Sequence, residues 1–136
     1  MCAPSSKRYE RERGVVEPLQ QLIKATDVPS HEHTPGGAVR FFHGDEHGLG
    51  AMSVAMSSNP PGGGGRKHRH PCGEVFVVYE GRGVYTVGDN DVVAEPGDVV
   101  VVPPNTWHSF RADGDATLRH VAAFDSAHVV TEMQAT

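Results

Sequence analysis

The chain of 136 residues has the length of a single domain with a modest core, which excludes a second catalytic domain. Its 16 Gly and 10 Pro exceed the usual share but stay below a disordered composition, so the sequence predicts a folded chain with many turns. The formal net charge of -5 lacks the basic excess that phosphate neutralisation needs, which excludes nucleic acid as an expected partner.

Residues 1–37 are predicted to form a polar tail and a short extension ahead of the main domain. Leu19, Leu22 and Ile23 stand at positions i, i+3 and i+4, which predicts a short helix that docks on the body. This part of the chain has no apolar stretch of signal-peptide length, and the two cysteines form no disulfide framework. We therefore expect a cytoplasmic protein with no membrane partner.

Residues 38–131 are predicted to form one all-β domain. Nineteen Val, against four Leu and one Ile, favour strands because β-branched side chains pack well on a pleated surface. The predicted strands span about 39–42, 50–57, 66–70, 74–79, 83–87, 91–94, 98–102, 107–111, 116–124 and 128–131. Short strands at this even spacing, with no helices between them, indicate an antiparallel sandwich or barrel.

Turn residues separate these strands. Residues 81–83 and 88–90 each predict a hairpin, and the Pro- and Gly-rich residues 60–65 predict a loop at a barrel rim. Residues 98–102 are apolar on both faces of their strand. One face is expected to meet the core, and the other to be covered by the N-terminal segment or a second subunit.

Four residues indicate a metal site. His68 and His70 share one face of a predicted strand, and Glu74 enters the apolar side of the next, where an uncompensated carboxylate is costly. His108 shares a later strand face with Phe110 and offers a fourth ligand. This set suits a divalent ion such as iron, manganese, nickel, cobalt, copper or zinc, with positions left open for substrate or water. The alternative is an empty barrel whose polar residues are satisfied by hydrogen bonds.

Further polar residues give weaker signals. His120 lies beside Arg119 on a late strand, and only one of the two can point inward, so an ordinary placement and a pocket role both stay open. Arg66 shares the strand face of His68 and His70 and is a candidate clamp for a substrate carboxylate. Four further histidines precede or start the barrel in loops and are expected on the solvated surface: His31, His33, His43 and His47.

Two strings in the chain resemble the motifs of the cupin superfamily. The twenty residues from Gly62, GGGGRKHRHPCGEVFVVYEG, fit the first motif, G(X)5HXH(X)3E(X)6G, at every specified position. The string from Gly97, GDVVVVPPNTWHSFRA, is similar to the second, G(X)5PXG(X)2H(X)3N. Asn105 replaces the Gly, a mild change because Asn also adopts left-handed backbone angles, and Ala112 replaces the final Asn, which is not a ligand. The resemblance covers about residues 38–125 and is closest to small single-domain bacterial cupins of the cupin 2 conserved-barrel type.

The resemblance implies a jelly-roll (double-stranded β-helix) barrel with a short N-terminal extension. It also implies one divalent transition metal ion per chain, bound by His68, His70, Glu74 and His108, and a homodimer, since dimers are common in the family. Cupin membership alone names no reaction.

For the function, we expect a metal-dependent enzyme acting on a small oxygen-rich substrate by dioxygenase, isomerase or cyclase-like chemistry. Glu74 and His108 are the expected catalytic residues, with Glu74 acting as both ligand and base. The alternative is a non-enzymatic cupin that binds or senses a small molecule in the barrel. The expected substrate-pocket residues are Arg66, Met52, Phe76, Phe110 and His120.

Overall fold

The computed structural model describes residues 21–135 of the chain. A 3-10 turn spans Ala25–Asp27, and a one-turn helix, α1, spans Gly44–His47. The strands of the described residues are β1 (Ala38–Phe42), β2 (Ser53–Asn59), β3 (Gly64–Arg69), β4 (Glu74–Glu80), β5 (Gly83–Val87), β6 (Asn90–Ala94), β7 (Val99–Val102), β8 (His108–Ala112), β9 (Leu118–Phe124) and β10 (Glu132–Met133). None of the helices in this part of the chain is long and apolar enough to cross a membrane.

The strands form two five-stranded antiparallel sheets, which confirms the predicted all-β jelly-roll barrel. One sheet has the order β1-β2-β9-β4-β7 and the other the order β10-β3-β8-β5-β6. Burial alternates along the central strands, so that Phe76 of β4 and Ala122 of β9 meet Tyr85 of β5 in one apolar core. The core fills only part of the barrel interior. Inward side chains of β3, β4, β8 and β9 also line a cavity inside the barrel.

Nine of the ten predicted strands overlap an observed strand, and the prediction for residues 128–131 is wrong. The chain pairs with β3 only at β10, two residues long. Before β10, the backbone groups of this segment bond to side chains instead of to a strand. Val129 N–H donates to His43 Nδ1 at 3.1 Å, and Val130 O accepts a hydrogen bond from His70 Nδ1 at 3.0 Å. The helix α1 was not expected either, since one turn is too short to show a helical period.

Two glycine-rich stretches differ from their predictions. Gly64 and Gly65 belong to β3 rather than to a rim loop, because β3 passes so close to β8 that a Cβ on Gly64 would overlap the carbonyl oxygen of Phe110. The turn at Gly81 connects β4 to β5 in the other sheet and is therefore not a hairpin. By contrast, Gly88 does lie in a tight hairpin, where Val87 of β5 pairs with Asn90 of β6.

The N-terminal extension contacts the barrel at a different residue from the one predicted. The predicted helix around Leu19 lies largely outside the described residues, and Leu22, which is described, is 65% exposed. The extension instead buries Val28, whose carbonyl oxygen accepts a hydrogen bond from Arg40 Nε of β1 at 3.3 Å. His31 pairs with Val39 in an isolated antiparallel bridge, which holds the extension along the edge of β1.

Candidate metal centre

Strand pairing brings the four predicted ligands to one place. His68 of β3 lies directly across from His108, the first residue of β8. Glu74 is the first residue of β4, in the opposite sheet, and the short link from β3 to β4 carries His70. The backbone N–H of Asn105 donates to His70 O at 2.7 Å, and Asn105 has a φ of 58°, as its place in the second motif predicts.

The ligand atoms of these four residues converge. One nitrogen from each imidazole and one carboxylate oxygen all lie within 4.8 Å of one another. Glu74 Oε1 is 2.9 Å from His108 Nε2 and 3.3 Å from His70 Nε2. The side chains of His70, Glu74 and His108 are buried, and that of His68 is half-buried. Three imidazole nitrogens and one carboxylate oxygen in this arrangement are a donor set that suits a first-row divalent ion.

Hydrogen bonds to the backbone set the proton on each imidazole. The Nδ1 atoms of His68, His70 and His108 lie 2.5, 3.0 and 2.8 Å from the carbonyl oxygens of Arg66, Val130 and Thr106. A carbonyl only accepts, so each Nδ1 carries the proton and each Nε2 presents a lone pair. Such outer hydrogen bonds are typical of metal-binding histidines.

The polar atoms of the centre therefore suit a bound cation better than they satisfy one another. His108 Nε2 and Glu74 Oε1 are both buried without a hydrogen-bond partner, although they are close, because in this tautomer both atoms are acceptors. Unpaired buried acceptors of this kind are costly. A divalent ion coordinated by the four ligand atoms would compensate all of these lone pairs. A second proton on one imidazole would compensate only some of them.

The pKa values of the cluster show the same competition. Burial, together with the neighbouring His108 and His70, lowers the pKa of His68 to about 4, so this imidazole stays neutral. Burial also disfavours the charged form of His70, but its contact with Glu74 and its bond to Val130 outweigh burial and raise its pKa. Burial likewise opposes ionisation of Glu74, yet the contacts with His108 and His70 prevail and lower its pKa. Without a metal, a proton is therefore held more readily by His70 than by His68.

A cavity of about 340 Å³ opens beside the candidate centre and is lined by His68, His70 and Glu74. Four of the five predicted pocket residues line it: Arg66, Phe76, Phe110 and His120. The fifth, Met52, is a wrong prediction, since its side chain is 51% exposed outside the cavity. Met52 lies just before β2, which begins at the inward-facing Ser53, and its side chain is left in solvent.

Sequence reasoning missed one residue of the cavity wall, His33, and one buried residue that bonds to the wall, Tyr85. His33 was expected on the surface, but it lines the cavity, and its Nε2–H donates to Asn59 Oδ1 at 2.5 Å. Only the long-range bridge between the extension and β1 brings it there, so no local pattern would have found it. Tyr85 is fully buried, and its hydroxyl lies 2.6 Å from His120 Nδ1. The alternation along β5 was a usable signal for Tyr85. His120 does point inward, and Arg119 instead pairs with Glu80 on the surface.

A second histidine cluster lies outside the barrel. His43, Glu46 and His128 also bring three donor atoms within 4.8 Å of one another, and the two rings stack at 4.0 Å. His43 Nδ1 accepts a hydrogen bond from Val129 N–H, so the ring proton of its neutral form lies on Nε2. With Nδ1 engaged by Val129 and Nε2 protonated, neither ring nitrogen of His43 has a free lone pair for a metal. This cluster therefore suits a metal less well than the barrel site does.

The similarity to known proteins agrees with this architecture. The family model of the cupin domain matches residues 55–124, just over half of the chain. An acireductone dioxygenase of Leishmania infantum is 33% identical over 66 residues, which are 45% of this chain and 19% of that protein. The match therefore spans about a fifth of the length of that curated relative.

Solved structures extend the likeness to most of the chain. A cupin-like protein from Thermotoga maritima superposes with a TM-score of 0.66 at 29% identity, covering 74% of this chain and 77% of that one. The formate complex of Lactobacillus farciminis oxalate decarboxylase superposes with a TM-score of 0.73 at 23% identity, covering 79% of this chain and 34% of that one, which is a likeness of fold. With the matched domain, the two motifs and the barrel together, the chain belongs to the cupin family.

Proposed function

We propose that this cupin is a metal-dependent enzyme that acts on a small oxygen-rich molecule in the barrel. The observation that carries the proposal is the convergence of the four ligand atoms beside the cavity, with all three imidazoles oriented by backbone carbonyls. The proposed ligands are His68, His70, Glu74 and His108. Such orientation leaves three lone pairs and a carboxylate directed at one point, which is the requirement for a bound ion.

The proposed cofactor is one divalent transition metal ion per chain, drawn from iron, manganese, nickel, cobalt, copper and zinc. Four protein ligands leave positions open on an octahedral ion, and an ion bound there would polarise the oxygen atoms of a substrate. Occupancy depends on the supply of metal as well as on ligand type, so the donor set alone favours no single member of this group.

The residues of the chain itself have distinct proposed roles. Glu74 and His108 are the proposed catalytic residues because they meet at 2.9 Å and Glu74 lines the cavity. The lowered pKa of Glu74 keeps it ionised at neutral pH, which makes it available as an anionic ligand and as a proton acceptor. Phe76 and Phe110 provide apolar walls that exclude water from the bound substrate.

The relatives support a reaction class without deciding the substrate. Similarity to an acireductone dioxygenase supports the oxidoreductase reading among the dioxygenase, isomerase and cyclase-like reactions considered above. Because the alignment covers a small part of that enzyme, its activity is a proposal for this chain. We further propose a homodimer located in the cytoplasm, with a small molecule as substrate.

The test is metal analysis of the purified protein, followed by ligand binding. We expect about one transition metal ion per chain, and we expect the visible spectrum of the cobalt-substituted protein to change when a chelating oxygen ligand such as oxalate or catechol is added. Absence of a bound ion would contradict the proposal. If the metal-free protein binds the same ligands equally well, the non-enzymatic binding protein is the better description.

A further inference from the structure

His120 is a polar group of the cavity that the metal centre does not use. It lies on β9 directly across from Val78, four residues further along β4 than the ligand Glu74. The imidazole is 2% exposed and is enclosed by two aromatic rings, with centroids 4.8 Å from Phe76 and 4.6 Å from Phe110. Phe76 also neighbours His108, at 6.0 Å between ring centroids. His120 is thus separated from the candidate ligands by Phe76, whose ring neighbours both His108 and His120.

The hydrogen bond to Tyr85 determines which ring nitrogen of His120 carries the proton. The Tyr85 hydroxyl is fully buried, and among the described residues its partner is His120 Nδ1, at 2.6 Å. An undonated buried O–H is costly, so the hydroxyl donates and Nδ1 accepts. In the neutral ring Nε2 then carries the proton. Within residues 21–135 this N–H has no hydrogen-bond partner. It is not fully buried either, and because His120 lines the cavity, we infer that the N–H faces the cavity.

The environment keeps this donor uncharged. Burial lowers the pKa of His120 to about 4, so the ring is neutral at physiological pH, and burial raises the pKa of Tyr85, so the hydroxyl keeps its proton. The cationic side chain in the wall, Arg66, is exposed. A neutral donor in an apolar surrounding suits an uncharged acceptor oxygen better than an anion, whose desolvation would not be repaid.

The size and lining of the cavity indicate the size and polarity of the remaining part of the ligand. Its volume of about 340 Å³ is roughly twice that of a cavity of about 150 Å³ that holds benzene. Aromatic rings line much of the wall, among them Phe41, Phe110 and Phe124. An apolar body of ring size therefore fits in the cavity that His120 shares with His68, His70 and Glu74.

We propose that His120 Nε2–H is a second substrate anchor, which donates to an uncharged carbonyl or hydroxyl oxygen at the end of the substrate remote from the metal. This assigns a substrate class with three parts: an oxygen-rich end at the metal centre, an apolar body against Phe76 and Phe110, and a neutral oxygen at His120. The proposal rests on the proposed function for the first part alone. An analogue without the third part would leave the buried N–H unpaired, and for that reason the site would discriminate against it.

Binding of matched probes to the zinc-loaded protein tests the proposal. The probes are benzohydroxamic acid, which has a chelating end and an apolar ring, and its 3-acetyl and 4-acetyl derivatives, which add a neutral carbonyl. By calorimetry we expect the better acetyl probe to bind about threefold to tenfold more tightly than benzohydroxamic acid, the range of one neutral hydrogen bond. His120→Phe should abolish this preference, and His120→Gln, which retains an N–H at a similar position, should restore most of it.

Two controls separate the outcomes. Zinc content should be the same in all three proteins, and a loss of zinc in His120→Phe would show that His120 supports the metal centre, which overturns the proposal. Equal binding of all three probes to the wild type, or an acetyl preference that survives in His120→Phe, would also overturn it. In either of those last cases binding of benzohydroxamic acid itself would leave the proposed metal-dependent function standing.

A second measurement needs no metal. In metal-free protein labelled with nitrogen-15 at histidine, acetophenone should shift the Nε2–H resonance of His120, and ethylbenzene, which has the same ring but no carbonyl, should shift it much less. Equal shifts with both compounds would contradict the anchor. If the protein fails to hold zinc but shows the selective shift, the metal-dependent function falls and the His120 anchor stands.

Discussion

His70 and His108 are the most enclosed imidazoles of the candidate centre, at 3% and 1% exposed. Replacing either with Ala removes one of four donors and leaves the carboxylate of Glu74 with less compensation. Loss of outer-shell partners alone costs metal sites about 10- to 100-fold in affinity, so loss of a direct ligand should cost at least about 100-fold. We expect His70→Ala and His108→Ala to retain almost no metal after dialysis against a weak chelator, and to lose activity and stability.

The matched controls for these variants are His31→Ala and His47→Ala. Neither residue contributes to the barrel cluster, so both variants should keep the wild-type metal content. If His70→Ala or His108→Ala keeps full metal, or if a control variant empties the site, then the assignment of the ligands is wrong.

Proton competition at His70 should make metal binding pH-dependent. Its contacts with Glu74 and Val130 raise its pKa against the effect of burial, so its proton starts to compete with metal above the ordinary histidine value of about 6.5. Protonated imidazole is not a ligand, and metal affinity should therefore fall as the pH is lowered through and below neutrality. Titration with a competing chelator at several pH values measures this, and affinity that is constant between pH 8 and pH 6 would contradict it.

His120 should make the stability of the metal-free protein depend on pH. Its pKa is about 4 when folded and about 6.5 when unfolded, so between these values the unfolded chain binds the extra proton and stability falls as pH falls. The contribution is fully present above pH 6.5. Between pH 7 and pH 5 the free energy of unfolding should fall by about 2 kcal/mol because of this residue. Urea unfolding with EDTA present should show a smaller loss over this interval in His120→Gln than in the wild type, and equal losses would contradict the assignment.

The individual site residues differ in how far the sequence revealed them. Glu74 and the three ligand histidines follow from strand alternation and motif spacing, which are local. His33 has the same His-X-His spacing in a loop, yet its place in the cavity wall depends on a contact with β1. Met52 was predicted inside a strand but lies just before β2, with its side chain exposed.

At the level of elements, the close passage of β3 over β8 positions two ligands, His68 and His108. The passage depends on Gly64, where an added Cβ would overlap the backbone carbonyl of Phe110. Gly64→Ala should therefore separate the strands, lower the free energy of unfolding by about 2 to 4 kcal/mol and weaken metal binding. Thermal or urea unfolding, together with metal content, measures both effects.

The control at this scale is Gly88→Asn in the β5–β6 hairpin. Gly88 has a φ of 60° and open space around it, and Asn tolerates that conformation. This variant should fold and bind metal like the wild type. A Gly64→Ala protein as stable as Gly88→Asn would contradict the role given to the close passage.

For the whole molecule, the outer face of the first sheet is an unusually apolar surface. Two cross-strand rows run over β2, β9, β4 and β7, and their side chains alternate with the buried ones. The rows consist of Val54, Ala123, Val75 and Val101, and of Met56, Val121, Val77 and Val99. Val99 and Val101 are 54% and 64% exposed. A continuous aliphatic face is typical of surfaces that associate, and it can pair with its own copy about a two-fold axis.

We therefore expect a homodimer that uses this face. Light scattering should give twice the mass of one chain, and Val101→Glu should weaken the dimer by about tenfold or more, since it places an unpaired carboxylate in the contact. Leu22→Glu, at a residue 65% exposed in the extension, should leave the dimer intact. A wild-type monomer would contradict the dimer and favour the N-terminal segment as the cover of this face.

The sequence by itself determined the β class, most strand positions along the chain and the four candidate ligands of this cupin. These follow from side-chain alternation and from the fixed spacing inside each of the two motifs, both of which are set by the local geometry of the chain. The tertiary structure decided what shares the cavity with the ligands. His33 comes from the extension, His120 of the first sheet is bonded to Tyr85 of the second, and the last strand forms only at β10. Contacts of this kind depend on which strands become neighbours, and packing of the whole barrel settles that choice.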